Sequence, residues 1–320
     1  MSDDASEIWV LTDDRAGNRS QALGVADRLG RPYAIKDLAY GGLAGLPNAV
    51  LGASFAGLSG DSRQTLHAPW PSLVIAAGRR TAPVARRIKR ASGGRAKTVQ
   101  IMNPGAGLAE FDLICVPDHD PGVAGANVVT ITGAPHGLTP EALAAARDAW
   151  MARLEHLTAP RIAVIVGGAT RRRPFTAEMA RELADTASRM AGAAGGSLMV
   201  TTSRRTGAAA DALIDALTAP AEVHRWGGDG DNPYHGFLAC ADAVVVSGES
   251  ISMCSEACAG EAPVYLYAPP ALITPKHARF HRRLFEGGYA RPLSGKLEAW
   301  SHPPLNAADG IAAAIAERLS

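Results

Sequence analysis

Short, unbroken apolar runs, separated by longer stretches of helical periodicity, constrain this chain more than any other feature. IWVLT (8–12), LVIAAG (73–78), FDLICV (111–116), RIAVIVGG (161–168), SLMVTTS (197–203) and DAVVVS (242–247) read as buried strands. YAIKDL (33–38), TVQIM (98–102), VVTIT (128–132), AEVHRW (221–226) and APVYLYA (262–268) complete the set. Between and after them the apolar spacing predicts helices at 17–30, 81–91, 139–157, 176–191, 207–217, 234–240, 250–260, 274–285 and 306–319. Thr139 and Pro140 suit the N-cap and first position of the helix over 139–157. Apolar strands alternating with helices mean parallel sheets covered on both faces. The pattern runs through twice, and 320 residues suffice for two domains of about 100–200 residues each. The expected fold class is α/β with two Rossmann-like domains, at 1–158 and 159–302. A C-terminal helix at 303–320 is expected to pack back on the first domain.

Composition removes several function classes. Net charge is +1, so a general nucleic-acid binder, which carries a basic excess, is not expected. The start, MSDDASEIWVLTDD, is acidic and lacks the basic and apolar regions of a signal peptide. No uninterrupted apolar run reaches the roughly 18–20 residues that span a bilayer. A cytoplasmic protein is expected. Contact with the inner membrane stays open through two segments, basic RRIKR (86–90) and uncharged GGLAGLPNAVLGASFAGLSG (41–60). The latter reads first as a buried helix and second as a membrane or partner contact. Cys115, Cys240, Cys254 and Cys258 form no CxxC pair, and neither a metal site nor a cofactor is expected from them.

In open parallel sheets, ligands sit beyond the C-terminal ends of the strands, and the cleft between two such domains is the default site. The loops that follow the strands therefore hold the candidates. TDDRAGNRSQ (12–21) offers Asp13, Asp14, Arg15, Gly17, Asn18 and Gln21 at a helix start, where free N–H groups favour anions. GRRTAP (78–83) offers Gly78, Arg79 and Arg80, the arginines either an anion clamp or surface charge. VPDHD (116–120) sets His119 between two carboxylates, as a general base requires. Gly167 and Gly168 would let a ligand approach the backbone closely. Ser203, Arg204, Arg205 and Thr206 supply the hydroxyls and guanidinium forks that suit a diphosphate. Ser247, Glu249, Ser250, Ile251, Ser252 and Met253 end one strand and open a helix, with Glu256 further in; Asn232 and Tyr234 precede that strand. Helix capping alone explains part of this polar turn.

TDDRAGNRSQALGVA, AAGRRTAPVAR, FDLICVPDHD, NVVTITGA, VIVGGA, TTSRRT and DNPYHGFLACADAVVVSGESISMCSEA, in this order, resemble the ELM1 family over nearly the whole chain. Glu249 stands where that family usually has Asp. Plant members of the family promote mitochondrial division by recruiting a dynamin-related protein. Ser255–Glu256, with Gly260 and Pro263 downstream, bears a more distant resemblance to GT-B glycosyltransferases, including the N-acetylglucosaminyltransferase that makes lipid II. That likeness implies a GT-B-like fold, its two parallel sheets facing across a cleft. It implies that Glu256 holds a ribose, that Ser250 to Met253 hold a diphosphate, and that Asp14–Asn18 face an acceptor. The expected ligands are a UDP- or GDP-type nucleotide-sugar and an acceptor of unknown identity. The expected reaction is metal-independent glycosyl transfer, with His119, or Asp14 as second choice, as the base. A non-hydrolysing nucleotide-sugar epimerase and a non-catalytic adaptor are the alternatives.

Overall fold

The computed structural model describes residues 7–120 and 122–319. The chain forms two compact units, one of residues 1–137 with 306–320 and one of residues 138–305. The first contains β1 (Ile8–Thr12), α1 (Ala16–Arg28), β2 (Ala34–Asp37), α2 (Asn48–Leu51), α3 (Gly60–Gln64), β3 (Leu73–Ala77), α4 (Ala82–Ala91), β4 (Lys97–Ile101), β5 (Leu113–Pro117) and β6 (Val128–Ile131). Its six strands are all parallel, in the order β2-β1-β3-β4-β5-β6. Successive residues of β1 point to opposite faces. Ile8 and Val10 pack with Val25 and Ala26 of α1, whereas Trp9 and Leu11 pack with Ala85 and Ile88 of α4. Two buried faces are why the strand is apolar at every position; each large side chain so buried contributes about 1.5–3 kcal/mol.

The second unit contains α5 (Pro140–Met151), β7 (Arg161–Ile165), α6 (Ala177–Ala193), β8 (Ser197–Thr201), α7 (Ala209–Asp215), β9 (Ala221–His224), α8 (Tyr234–Cys240), β10 (Ala243–Ser247), α9 (Ile251–Ala257), β11 (Val264–Tyr267), α10 (Pro275–Glu286) and β12 (Arg291–Pro292). Its sheet is also parallel throughout, in the order β12-β11-β10-β7-β8-β9. Ile162 and Val164 face α6, with Leu183 and Ala187; Ala163 and Ile165 face the other way, with Phe237, Cys254 and Phe280. The four cysteines are buried and unpaired.

Two segments differ from their sequence reading. The helix expected over 139–157 ends at Met151 and packs in the second unit rather than closing the first. Its Trp150 fills the space above Gly236 of α8, where an added Cβ would lie 2.2 Å from the indole, and Arg147 donates to the Ala239 carbonyl. The last helix, α11 (Ala307–Leu319), belongs to the first unit, with Ala308 and Ile311 fully buried and Asp309 2.9 Å from Arg28 of α1. The second difference is segment 41–60, which forms no continuous helix. A short 3-10 turn (Gly42–Gly45), Pro47 and the four-residue α2 divide it. Gly52 at φ 59° ends α2. Leu43, Leu46 and Val50 are exposed. No helix among the described residues is long and apolar enough to cross a membrane.

The strand orders define where each sheet reverses direction. The chain winds outward from β1 to β2 and then crosses to β3 on the other side of β1. It winds from β7 through β8 to β9 and then crosses to β10 on the other side of β7. The loops after β1 and β3, and those after β7 and β10, diverge at these points and open crevices there.

Candidate functional site

In the first unit, Asp13 organises the loop after β1. It is buried and accepts the backbone N–H of Arg15 at 3.1 Å and the Asn18 amide at 3.0 and 3.2 Å. Asn18 in turn sits against Gly78, where a Cβ would lie 2.6 Å from its Nδ2; Gly78 has φ 85°. These two residues interlock the loops on either side of the reversal. Arg80 reaches across the same gap, 3.0 Å from Asp14, with its guanidinium 5.4 Å from the Tyr40 ring. Asp14, Tyr40, Gly41, Gly42 and Arg80 line a pocket of about 440 Å³. Arg15 is exposed, Gly17 half-buried and Gln21 buried.

Two candidates of this unit have other occupations. Arg79 spends its guanidinium on the Leu46 carbonyl (2.7 Å), the Ala44 carbonyl (3.0 Å) and Asn48 (3.2 Å), while Asn48 donates back to the Arg79 carbonyl at 2.7 Å. Arg79 pins the 41–60 segment, and Arg80 is the arginine at the reversal. His119 is 1% exposed, with Nδ1 3.7 Å from Asp118. Asp14 is exposed.

In the second unit the loops after β7, β8 and β10 meet in one hydrogen-bonded knot. Ser247 accepts the Gly167 N–H at 2.8 Å, and Glu249 accepts the Gly168 N–H at 2.6 Å. Ser203 and Thr206 both donate to the Gly167 carbonyl, Thr206 at 2.9 Å, and Thr206 also accepts the Ser203 N–H. Gly167 and Gly168 are glycines because this knot leaves no room for a side chain. A Cβ on Gly167 would lie 2.0 Å from the Glu249 carboxylate, and one on Gly168 2.4 Å from the Arg205 backbone. Ser247, Glu249 and Thr206 are buried, so they build the crevice floor rather than line it. Arg205 is half-buried, 3.4 Å from Glu249, and Arg204 is exposed.

Glu249 is the electrostatic oddity of this knot. Its side chain is fully enclosed, and its Oε2 has no hydrogen-bond partner. Burial raises its pKa above the ordinary 4.5, against the pull of Arg205. A carboxyl raised in the folded state loses stability as pH climbs from 4.5 through its folded value, because the unfolded chain ionises first. Glu249→Gln keeps the oxygen that accepts from Gly168 and removes that penalty. The variant is expected to match the wild type below pH 4.5 and to exceed it in urea unfolding at pH 7–8. An equal gap at both pH values would contradict a buried, reluctant carboxylate.

Beside the knot, at the ends of β8 and β9, is a pocket of about 300 Å³ lined by Thr202, Ser203, His224, Trp226, Asn232, Tyr234 and Met253, among others. Tyr234 donates to Glu256 of α9 at 2.5 Å, and burial raises the Glu256 pKa while this hydrogen bond opposes the rise. Asn232 accepts the Tyr234 N–H at 3.1 Å. Trp226 is 56% exposed, an aromatic face at the pocket rim. Ser250 caps α9, accepting the Met253 N–H at 3.5 Å, with Ile251 and Ser252 half-buried in the first turn. Sequence reading missed Tyr40 and Trp226. The signal for Trp226 was present, an aromatic ending the AEVHRW strand just before a glycine-rich turn.

A family model described as "Mitochondrial fission ELM1" matches residues 16–319. The chain belongs to the mitochondrial fission ELM1 family. It is 33% identical over 292 residues to the mitochondrial fission protein ELM1 of Arabidopsis thaliana, an alignment covering 83% of this chain and 68% of that one. It is 30% identical to an uncharacterised protein of Rickettsia prowazekii (strain Madrid E), covering 96% and 97%. Among solved structures it is similar to the UDP-GlcNAc 2-epimerase of Methanocaldococcus jannaschii in complex with UDP-GlcNAc and UDP. The TM-score is 0.55 at 11% identity, covering 97% of this chain and 99% of that one. At that identity the likeness establishes the GT-B-like fold of this ELM1-family chain, with its two Rossmann-like units.

Proposed function

We propose that this chain binds a nucleotide-sugar of UDP or GDP type in its second unit and transfers the sugar to an acceptor without a metal ion. The observation that carries the reading is the 300 Å³ pocket beside the β7–β10 reversal, with Trp226 at its rim and Tyr234, which donates to Glu256, in its wall. A base would stack on Trp226, and Glu256 would accept from the ribose hydroxyls. Arg205, held by Glu249, and Arg204 would face the diphosphate and stabilise the charge that develops on it. During transfer the acceptor oxygen bonds to the anomeric carbon as the carbon–oxygen bond to the diphosphate breaks. The acceptor proton goes to a general base on the protein. The UDP and UDP-GlcNAc held by the epimerase of similar fold are consistent with this ligand class.

The test is calorimetry with UDP, GDP, ADP and CMP. One of the diphosphates is expected to bind, and Glu256→Ala is expected to weaken it about tenfold, or ~1.4 kcal/mol. Trp226→Ala should cost a similar amount through lost stacking, about 1–3 kcal/mol. No binding of any nucleotide at about 1 mM, a free energy near −4 kcal/mol, removes the proposal. Deuterium appearing at C2 of a nucleotide-sugar incubated in D₂O would replace transfer by epimerisation.

A further inference from the structure

A second cavity, of about 390 Å³, opens in the same unit at the other flank of the sheet, beyond the C-terminal ends of β11 and β12. It lies beside the reversal on the side away from Trp226, because β11 and β12 are on the β10 side of β7. Apolar surface makes up about half of its wall, with Leu266, Ile273, Phe285 and Leu293 among the lining residues. Ala278, on α10, leaves part of the space open.

Two polar features interrupt those walls. Tyr267 donates to the Glu182 carboxylate at 2.7 Å, and Glu182 is exposed. His281 packs its ring into the wall with Nε2 2.7 Å from the Gly248 carbonyl. A carbonyl only accepts, so Nε2 carries the proton and the neutral ring keeps Nδ1 as an acceptor. The cavity thus presents one carboxylate and one imidazole acceptor, and no Lys or Arg is among its lining residues. A phosphate or carboxylate would enter without a counter-charge and at a desolvation cost. An apolar body that carries donors fits the lining instead.

We propose that this cavity binds a small amphiphilic amine, with its ammonium at Glu182, its apolar body against Phe285 and Leu293, and a hydroxyl donating to His281. The ligand class differs from a nucleotide-sugar, so the proposal stands apart from the function proposed above. Occupancy has a direct route to the crevice floor, because His281 holds Gly248 between Ser247 and Glu249. A Cβ on Gly248 would lie 2.6 Å from the His281 ring, so only glycine lets the loop pack this closely on the imidazole.

Amide NMR titrations test this with three probes of matched shape: tyramine, neutral 4-ethylphenol and anionic 3-(4-hydroxyphenyl)propionate. Tyramine is expected to give saturable shifts at Ala268, Ala278 and Gly248, with Kd on the order of 1 mM for a molecule of this size. The order should be tyramine, then ethylphenol, then the propionate. Glu182→Gln should erase the preference of tyramine over ethylphenol. Ala278→Leu, a good helix former whose side chain enters the cavity, should raise the tyramine Kd at least about tenfold without lowering the melting temperature. Tighter binding of the propionate, shifts unaltered by Ala278→Leu, or no saturable shift by any probe would each overturn the proposal.

Discussion

Replacing Gly168 by alanine is expected to destabilise the second unit by about 4 kcal/mol, through backbone strain of roughly 1–3 and steric overlap of similar size. Gly168 has φ 118°, a region that L side chains rarely adopt. An added Cβ would also lie 2.4 Å from the carbonyl carbon and oxygen of Arg205 and 2.5 Å from the Thr206 nitrogen. These are backbone atoms fixed by the Ala169 N–H to Arg205 carbonyl bond at 2.9 Å and by the Thr206 hydroxyl. No flexible side chain can step aside. The β7 and β8 loops would part, and Glu249 would lose the Gly168 N–H. Equilibrium urea unfolding of the variant reads the effect directly, and a loss below about 1 kcal/mol would mean that the knot is softer than its geometry. Gly207 is the control. It also has positive φ, but a Cβ there meets nothing within 4 Å, so Gly207→Ala should show strain without overlap.

Acid should weaken the same unit through His281. Burial holds its pKa down at about 4, from an ordinary 6.5, in spite of the hydrogen bond to Gly248. As pH falls below 6.5 the unfolded chain takes up a proton that the folded ring refuses. The stability due to the neutral imidazole is therefore complete above pH 6.5 and lost as pH drops toward 4. For a side chain only 3% exposed, the depression corresponds to about 3 kcal/mol over that window. Raised carboxyls such as Glu249 and Glu256 act in the opposite sense, so the wild-type curve alone is a mixture. His281→Gln isolates the term. It should be less stable than wild type at pH 7.5, and the difference should shrink by about 3 kcal/mol by pH 4. A difference independent of pH would show that the folded ring titrates normally.

Both predictions fall on residues whose importance a linear reading cannot weigh. GGATRRRPF displays two glycines and three arginines together. Only the structure separates Gly167 and Gly168, which form the knot, from Arg171 and Arg172, which are exposed. GRRTAP displays two adjacent arginines with no local reason to distinguish them. Arg79 turns to the carbonyls of Ala44 and Leu46 and Arg80 to Asp14, because α2 and the loop after β1 lie on different sides of the same turn. Glu249 looks from sequence like a cleft carboxylate, yet its side chain is entirely enclosed.

By contrast, every strand but the two-residue β12 and every helix of seven or more residues was legible among the described residues, because their signals are local. Apolar runs declare strands buried on two faces, and helical spacing declares what covers them, within a window of a few residues. The motif loops also followed from this, since they are whatever succeeds a strand in a parallel sheet. The sequence by itself determined the α/β class, the twofold repetition of the pattern, and the set of loops in which a site could form. Tertiary structure alone decided which loops meet at the two reversals, that α5 joins the second unit while α11 joins the first, and which charges face solvent. The physical reason is that secondary structure follows from the spacing of neighbours along the chain. The fate of a guanidinium or carboxylate depends on partners tens of residues away, such as Gly168 for Glu249 and Leu46 for Arg79.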